Sequence, residues 1–419
     1  MSFARIADRA ERLVYRVAGL PIAISALVLT SSTDPSDPLQ SAFAWRYWHP
    51  DGAGEWSDLV GGLVLWPLAV IVTSALYTWR NGKVIRSRYG KPIAAQFLEQ
   101  LKLYLSAGVL APWYYIFSLY DGDAGGRART YLQRFETKPS IFMLLKRKRG
   151  SPLTDKVEFA RYCVARRIRC VPNLLELRGE RVSGALPDHD LFVKPIKERG
   201  GKGAERWDRV GAGSYSDTRG KRIGAAELLA YLVEKSRRMP LVVQRRITAH
   251  PRLSDLTAGA LPTVRVVSCL DERQVPELIG AVFRMSVGTN ATVDNLHAGG
   301  IAAAVDLRTG TLSRATNLGA DARLGWLSRH PDTGAIIEGQ ALPFWKETKE
   351  LAATAHRHFT DRVVIGCDIA IVEDGPIIVE GNGNPDMDIL QRFMREGLRK
   401  HRFAELLAYH LRARAPSRA

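Results

Sequence analysis

The sequence lacks the marks of several protein classes. Its four cysteines form no C-x-x-C pair, which argues against a zinc ribbon, a thioredoxin-type dithiol and a small disulfide scaffold. Glycine (36) and proline (21) are too few among 419 residues to indicate a low-complexity, collagen-like or mucin-like chain. With 46% apolar and 25% charged residues, the chain is expected to fold around a core. Its length predicts two or three units of roughly 150 residues each.

Acidic residues are fewer than basic residues in this chain. The chain has 60 Lys and Arg against 43 Asp and Glu, which leaves a net charge of +17. Such a surplus fits nucleic acid, nucleotide phosphates or an acidic membrane surface as a partner. The basic residues are scattered rather than gathered on one strand face with aromatic side chains, so we expect no nucleic acid partner.

Two uncharged runs near the N-terminus predict a membrane-associated region. Residues 59–79 have about the length of a helix that crosses a bilayer, whereas residues 17–33 are shorter, so that a signal-peptide core is an alternative for them. Basic residues precede the first run and follow the second, and the connector is acidic, which places both ends in the cytoplasm. We predict a helical hairpin in the inner or plasma membrane, with membrane lipid as a partner and a cytoplasmic catalytic domain. The alternative is a pair of buried core helices in a cytoplasmic protein.

The next segment predicts a helical linker. The uncharged stretch at residues 103–120 contains Pro112 and several aromatic residues, which is typical of an interfacial or domain-docking helix. The basic run at residues 146–149 would contact lipid headgroups or form a solvated loop. We therefore assign residues 1–100 to an N-terminal membrane-associated helical region and residues 101–150 to the linker.

After Gly150, strand-like and helical patterns alternate with glycine-rich joints, which indicates an α/β or α+β architecture. A short apolar strand at residues 191–193 leads to Lys194. The loop that follows is rich in glycine and lysine, with Gly200, Gly201, Lys202 and Gly203. Such a loop lets backbone N–H groups approach phosphate oxygens. It matches neither the P-loop nor the G-x-G-x-x-G pattern, so an ordinary glycine-rich turn is the alternative.

Three further strands carry polar groups. Residues 241–243 predict a buried strand that ends in Gln244 and is followed by Arg245. The backbone of such a strand end can bind the edge of a nucleobase, and an ordinary core strand is the alternative. Arg265 lies in the middle of one apolar strand, and Arg284 ends another. A cation within an apolar strand usually faces a cleft or a carboxylate.

The most informative stretch, residues 363–388, contains two strand-like runs around a turn. If the turn has three residues with glycine in the left-handed position, the register places Asp368 directly opposite Glu380, and Asn382 returns to the same face. Directly opposed side chains have Cβ atoms about 4.5–5.5 Å apart, so two carboxylates there need a cation or a shared proton between them. These oxygen-bearing groups suit Mg²⁺. A two-residue turn would separate the pair, and an exposed acidic rim is the alternative.

Taken in order, these features resemble the ATP-grasp ligases. The features are Lys194, the glycine-rich loop, the strand ending at Gln244, Arg265, and the set of Asp368, Glu380 and Asn382. Residues from about 140 to 400 look like the sugar-transfer-associated ATP-grasp family, which is related to alpha-L-glutamate ligases. Residues 294–300 are similar to the asparagine, histidine and paired-glycine loop of those ligases, and residues 379–382 are similar to their metal-binding Glu-x-Asn.

The resemblance implies an α+β fold of the ATP-grasp type, in which two subdomains hold ATP between antiparallel sheets. It assigns residues 151–260 to a pre-grasp region and the small subdomain, and residues 261–405 to the large subdomain. Residues 406–419 form a basic C-terminal tail. The N-terminal helical, membrane-associated region precedes them.

The resemblance also implies a role for each candidate residue. Contacts to the nucleotide fall on Lys194, Gly200, Gly201, Lys202, Gly203, Gln244, Arg245 and Ile247. Catalytic contacts to the γ-phosphate or an acyl phosphate fall on Arg265, Arg284 and Asn295. The implied metal ligands are Asp368, Glu380 and Asn382, and the implied metal is Mg²⁺, with Mn²⁺ as a substitute.

The function that the resemblance implies is an ATP- and Mg²⁺-dependent ligase. It would activate a substrate carboxylate as an acyl phosphate for attack by an amine or another nucleophile, in cell-envelope or glycan metabolism. The alternative is a membrane-anchored ATP-binding module or a kinase without ligase activity. The carboxylate and the nucleophile are both unknown, because the segment Asn384-Pro385-Asp386 departs from the glutamate-ligase pattern.

Overall fold

The structure is a computed structural model that describes residues 52–145, 151–198, 201–288, 292, 294, 296, 299–320 and 322–414. Its helices are α1 (Ala53–Tyr89), α2 (Ile93–Ala107), α3 (Ala111–Ile116), α4 (Ala124–Ala128), α5 (Arg134–Met143), α6 (Lys156–Ala165), α7 (Ala225–Arg238), α8 (Trp345–His358), α9 (Met387–Met394) and α10 (Arg402–Arg414). Its strands are β1 (Leu175–Arg178), β2 (Arg181–Gly184), β3 (Leu191–Pro195), β4 (Glu205–Gly211), β5 (Ser214–Asp217), β6 (Arg222–Gly224), β7 (Leu241–Arg245), β8 (Thr263–Leu270), β9 (Pro276–Met285), β10 (Ile301–Val305), β11 (Leu312–Thr316), β12 (Val364–Val372) and β13 (Gly375–Asn382).

The chain divides into two compact units. The first unit combines Met1–Leu144, Leu318–Gly325 and Asp386–Ala419, and the second combines Leu145–Asn317 and Trp326–Pro385. Each unit has a hydrophobic core of its own.

Aromatic side chains form much of the core of the first unit. Tyr104 on α2, together with Trp113 and Tyr115 on α3, is at most 3% exposed. Tyr77 on α1 stacks on Tyr115 with ring centroids 6.1 Å apart. Because each buried aromatic ring removes about 150–250 Å² from water, this cluster stabilises the helices against one another. Residues 103–120, predicted to form an interfacial or docking helix, are thus part of a protein core.

The second uncharged run, residues 59–79, is part of α1. Among the residues that the structure describes, no helix combines the length and the apolar character needed to cross a membrane, which corrects the span predicted over this run. One face of α1 instead packs on protein: Ser74 and Asn81 are buried, and Asn81 Nδ2 donates to the carbonyl of Ala320 at 3.2 Å. The first predicted run, residues 17–33, lies outside the described residues. The location of the chain in the cell stays a prediction.

The second unit contains two antiparallel sheets flanked by helices, which is an α+β architecture. The first sheet has seven strands in the order β2-β1-β7-β3-β4-β5-β6, and the second has six in the order β11-β10-β9-β8-β12-β13. Leu228 and Leu232 of α7 pack with Val193 and Val243 of the first sheet, and all four are fully buried. In the second sheet, almost every residue of β12 is buried, so a charged side chain on this strand needs a partner.

Buried His356 on α8 should make the stability of the second unit depend on pH. Its Nε2 lies 3.2 Å from the Arg362 carbonyl, which can only accept, so Nε2 carries the hydrogen and Nδ1 accepts from the Ser268 hydroxyl at 2.7 Å. Burial lowers the pKa of His356 from 6.5 to about 4. The neutral ring is therefore favoured in the folded protein. This stabilisation is present above the unfolded pKa and is lost as the pH falls through the folded pKa.

We expect the free energy of unfolding to fall by about 2 kcal/mol between about pH 7.5 and pH 5 because of His356. Urea unfolding of the full chain at several pH values measures this slope. His356→Gln should flatten the slope, whereas His189→Gln should leave it unchanged, because His189 is exposed. The same slope in His356→Gln and in the wild type would contradict the prediction.

Candidate active site

The hairpin of β12 and β13 brings together the predicted acidic pair. Val372 pairs with Gly375, so the turn has two residues rather than the predicted three. One extra residue, Val379, then forms a bulge in β13. Beyond the bulge, Asp368 pairs directly with Glu380. The prediction of the turn is wrong, but the bulge compensates for the shorter turn and restores the predicted opposition of the two carboxylates.

Two arginines from neighbouring strands hold the Asp368 carboxylate. Arg265 on β8 lies directly opposite Asp368 on β12. It donates from Nε and Nη2 to the two carboxylate oxygens of Asp368, each at 2.7 Å. Arg284 on β9 adds a third hydrogen bond from Nη2 at 2.9 Å. Burial alone would raise the pKa of Asp368, but the two guanidinium groups outweigh burial and lower the pKa to about 2. The carboxylate is therefore ionised at physiological pH.

A second carboxylate, that of Asp294, is 12% exposed and lies close to Arg284. Its Oδ2 is 3.5 Å from Arg284 Nε and accepts a hydrogen bond from the Thr263 hydroxyl. Burial raises the pKa of Asp294, and Arg284 opposes that shift. The sequence pattern gave Asp294 no role of its own, although it begins the motif at residues 294–300. Asn295, the predicted catalytic residue beside it, lies outside the described residues.

Strand β3 delivers Lys194 towards the acidic pair. Its side chain is buried, and burial lowers its pKa to about 8. The carboxylates of Glu380 and Asp368 act on that pKa in the opposite direction, so the lysine and the acidic pair lie close enough to interact. A cation of the first sheet and two anions of the second sheet therefore lie within electrostatic range of one another in one unit.

Lys156, which belongs to no motif in the sequence, is a further cation near Lys194. It is the first residue of α6, which Asp155 caps by accepting from the Val157 backbone N–H at 2.9 Å. Lys156 Nζ donates to the Glu198 carbonyl at 2.6 Å, and its charge contributes to the low pKa of Lys194. The helix start at Asp155 is visible in the sequence, but its position beside the end of β3 is not.

The glycine-rich loop after β3 is described in part. Gly201 and Gly203 have left-handed φ values of 70° and 74°, which residues with side chains rarely adopt. A Cβ at Gly203 would lie 2.8 Å from Met239 Cε, so the end of the Met239 side chain would have to shift. Lys202 is exposed. Gly200 lies outside the described residues, and contact of this loop with phosphate stays a prediction.

The residues predicted to bind adenine lie at the end of β7 and just after it. Gln244 is buried, and its side-chain amide donates to Asn173 Oδ1 at 2.8 Å and to the Val171 carbonyl at 3.3 Å, so the amide is used within the protein. Arg245 is exposed and Ile247 is half-buried. A cavity of about 330 Å³ opens beside this strand end and is lined by Asp188, His189, Asp190, Arg209, Arg245, Arg246 and Thr248. Binding of adenine by the backbone of this segment stays a prediction.

Oxygen donors on one face of the hairpin fit Mg²⁺ in their chemistry. Asp368 and Glu380 offer carboxylates, and Asn382 lies two residues beyond Glu380 on the same face. Asn382 Oδ1 accepts from the Asn384 backbone N–H at 3.0 Å. No group of three His, Cys, Asp or Glu side chains in the described part of the chain could hold a metal ion by itself. Binding of Mg²⁺ at these residues, which would also use phosphate oxygens and water, stays a prediction.

Similarity to solved structures is low. The chain is 14% identical to D-alanyl-alanine synthetase A from Vibrio cholerae, with a TM-score of 0.36 over 62% of this chain and 65% of that one. It is 12% identical to D-alanine–D-alanine ligase from Bacillus anthracis, with a TM-score of 0.31 over 56% of each chain. It is 10% identical to N5-carboxyaminoimidazole synthase from Aspergillus clavatus, with a TM-score of 0.30 over 58% of this chain and 46% of that one. The chain thus spans less than two thirds of the length of each of these proteins.

A family comparison is more informative. No curated protein matches the sequence, but the family model of the sugar-transfer associated ATP-grasp proteins matches residues 146–405. The matched residues contain both antiparallel sheets and every candidate site residue from Lys156 to Asn382. They also amount to more than half of the chain. The protein belongs to the sugar-transfer associated ATP-grasp family.

Proposed function

We propose that this protein is an ATP-dependent ligase that activates a substrate carboxylate. One observation carries the proposal: buried Lys194 of the first sheet lies close enough to Asp368 and Glu380 of the second sheet for both charges to act on its pKa, and those two carboxylates are directly paired. A buried ammonium opposite two carboxylates offers both signs of charge to a phosphate chain and its metal ion. Membership in the ATP-grasp family supports ATP as the nucleotide.

The chemistry needs positioning and charge rather than a protein nucleophile. An oxygen of the substrate carboxylate would attack the γ-phosphorus of ATP, forming an acyl phosphate while the bond to the bridging oxygen breaks and ADP leaves. An amine would then attack the acyl carbon, and phosphate would leave as the amide forms and the amine loses a proton to solvent.

Several residues would contribute to that chemistry. Lys194 and Arg265 would face the charge that moves between the phosphates and the substrate. When bound, Mg²⁺ would neutralise the β- and γ-phosphates. The side chains that would hold it are Asp368, Glu380 and Asn382.

Trapping with hydroxylamine tests the proposal. We expect the full chain with ATP and Mg²⁺ to form an acyl hydroxamate with at least one member of a panel of amino acids, hydroxy acids and sugar acids, because hydroxylamine intercepts an acyl phosphate. ADP and hydroxamate should appear in equal amounts, measured by chromatography and mass spectrometry. Lys194→Met is the control, and it should lose both products.

Two results would contradict the ligase proposal. ADP release with a phosphorylated acceptor and no hydroxamate would identify a kinase. If the chain binds ATP but releases no ADP with any member of the panel, the result would support a binding module instead.

A further inference from the structure

Arg284 is shared between two carboxylates, that of buried Asp368 and that of largely buried Asp294. On one side, its Nη2 donates to Asp368 at 2.9 Å. On the other side, its Nε lies 3.5 Å from Asp294 Oδ2. The Thr263 hydroxyl bridges the second contact, since it accepts from Arg284 Nε at 3.1 Å and donates to Asp294.

Apart from Asp294, these groups lie on three adjacent strands of the second sheet. Thr263 on β8 lies directly opposite Arg284 on β9. Two residues further along β8, Arg265 lies directly opposite Asp368 on β12. Because strand pairing fixes the backbones that carry Arg284 and Asp368, a change of carboxylate partner by Arg284 would be a rotation of its side chain.

The ion pairs limit what Asp368 can bind. Its carboxylate accepts three N–H groups from two arginines, so an approaching cation competes with two guanidinium groups for the same oxygens. Releasing a buried guanidinium without a partner is strongly unfavourable. Arg284 avoids this penalty, because Asp294 is already within reach on its other side.

We propose that Asp294 is a positioning residue that takes over Arg284 when Asp368 turns to a metal-bound nucleotide. In this arrangement Arg265 is the arginine that faces the phosphates, and Arg284 serves as the counter-ion shared by the two carboxylates. The proposal rests on the proposed function, since it needs a nucleotide site between Lys194 and Asp368. It assigns Arg284 a different role from the direct phosphate contact implied by the family resemblance.

Binding of ATP with and without Mg²⁺ tests the proposal in the full chain. In the wild type, we expect excess Mg²⁺ to tighten ATP binding relative to binding in EDTA, as measured by calorimetry. Asp294→Asn should reduce this gain in affinity about tenfold, because Arg284 then stays on Asp368. The affinity in EDTA should change less than twofold. Thr263→Val should reduce the gain in affinity about threefold. It provides a second variant if Asp294→Asn does not fold.

Asp271→Asn is the matched control. Asp271 follows β8 at its other end, where its carboxylate accepts from the Arg273 and Val275 backbone N–H groups, and its loss should leave the Mg²⁺ effect unchanged. An unchanged Mg²⁺ effect in both Asp294→Asn and Thr263→Val would overturn the inference while leaving the ligase proposal intact. Equal weakening in EDTA and in Mg²⁺ would also overturn it, since it would show a merely structural role. Absence of ATP binding in the wild type would overturn the proposed function and this inference together.

Discussion

Glu380→Gln should lower ATP turnover by at least about 100-fold, equivalent to roughly 2.7 kcal/mol of transition-state stabilisation. The substitution keeps the shape of the side chain and removes its negative charge, which acts on Lys194. Glu380 is half-buried, and its removal leaves no buried arginine unpaired. The variant should therefore keep the thermal stability of the wild type. ADP release, followed by a coupled assay with a substrate carboxylate found by hydroxylamine trapping, measures the loss.

The same hairpin offers a matched control. Glu373 is exposed at the turn, so Glu373→Gln removes a charge of the same kind a few residues away and should leave turnover within twofold of the wild type. Asp368→Asn is a poorer test, because it also removes the charge to which Arg265 donates two hydrogen bonds and should lower stability. Full turnover in Glu380→Gln would contradict the role given to this carboxylate.

The affinity for ATP should fall at alkaline pH, because Lys194 binds phosphate only as an ammonium ion. Burial lowers its pKa to about 8, so the side chain loses its proton within a range that binding assays can reach. We expect the dissociation constant to rise about twofold from about pH 7 to pH 8. By about pH 9 the affinity should be weaker by about tenfold. Calorimetric titration at constant Mg²⁺ measures this profile.

Two variants make the pH profile specific to Lys194. Lys194→Met should bind ATP weakly at every pH and should not show the alkaline decline. Lys346→Met should behave as the wild type, because Lys346 lies on the exposed surface of α8, where it pairs with Glu350. An identical alkaline decline in Lys194→Met and the wild type would contradict the prediction.

The acidic pair could be predicted from the sequence because strand alternation is a strong local rule. Asp368 and Glu380 lie in apolar runs on either side of a turn, and any register that pairs them also puts Asn382 on their face. The details of the turn could not be predicted. A two-residue turn with a bulge at Val379 produces the same pairing as a three-residue turn without one, and the two alternatives differ little in sequence pattern.

The electrostatics of the site were less predictable. An arginine inside an apolar strand predicts either a cleft or a carboxylate as its partner, and Arg265 has the carboxylate of Asp368. Which carboxylate it meets depends on the pairing of β8 with β12, two strands far apart along the chain. For the same reason, the sequence could not predict that Lys156 lies near Lys194. Nor could it predict the second contact of Arg284, which is with Asp294.

The first unit shows a different limit. An uncharged run such as residues 59–79 has the same composition whether its apolar side chains face lipid or protein. In the structure the run belongs to α1, whose buried face includes Ser74 and Asn81. Asn81 bonds to residues 320 and 322, which lie far away in the sequence. The hydropathy of a run depends only on the residues within it, so it cannot show polar contacts with residues far away in the sequence.

The most direct test of the account is a crystal structure of the full chain with Mg²⁺ and a non-hydrolysable ATP analogue. We expect phosphate oxygens within hydrogen-bonding distance of Lys194 Nζ, a metal ion bound by Glu380, and Arg284 closer to Asp294 than to Asp368. A nucleotide bound elsewhere, or Lys194 and Glu380 both remote from its phosphates, would contradict the central claim that these two sheets form one nucleotide site.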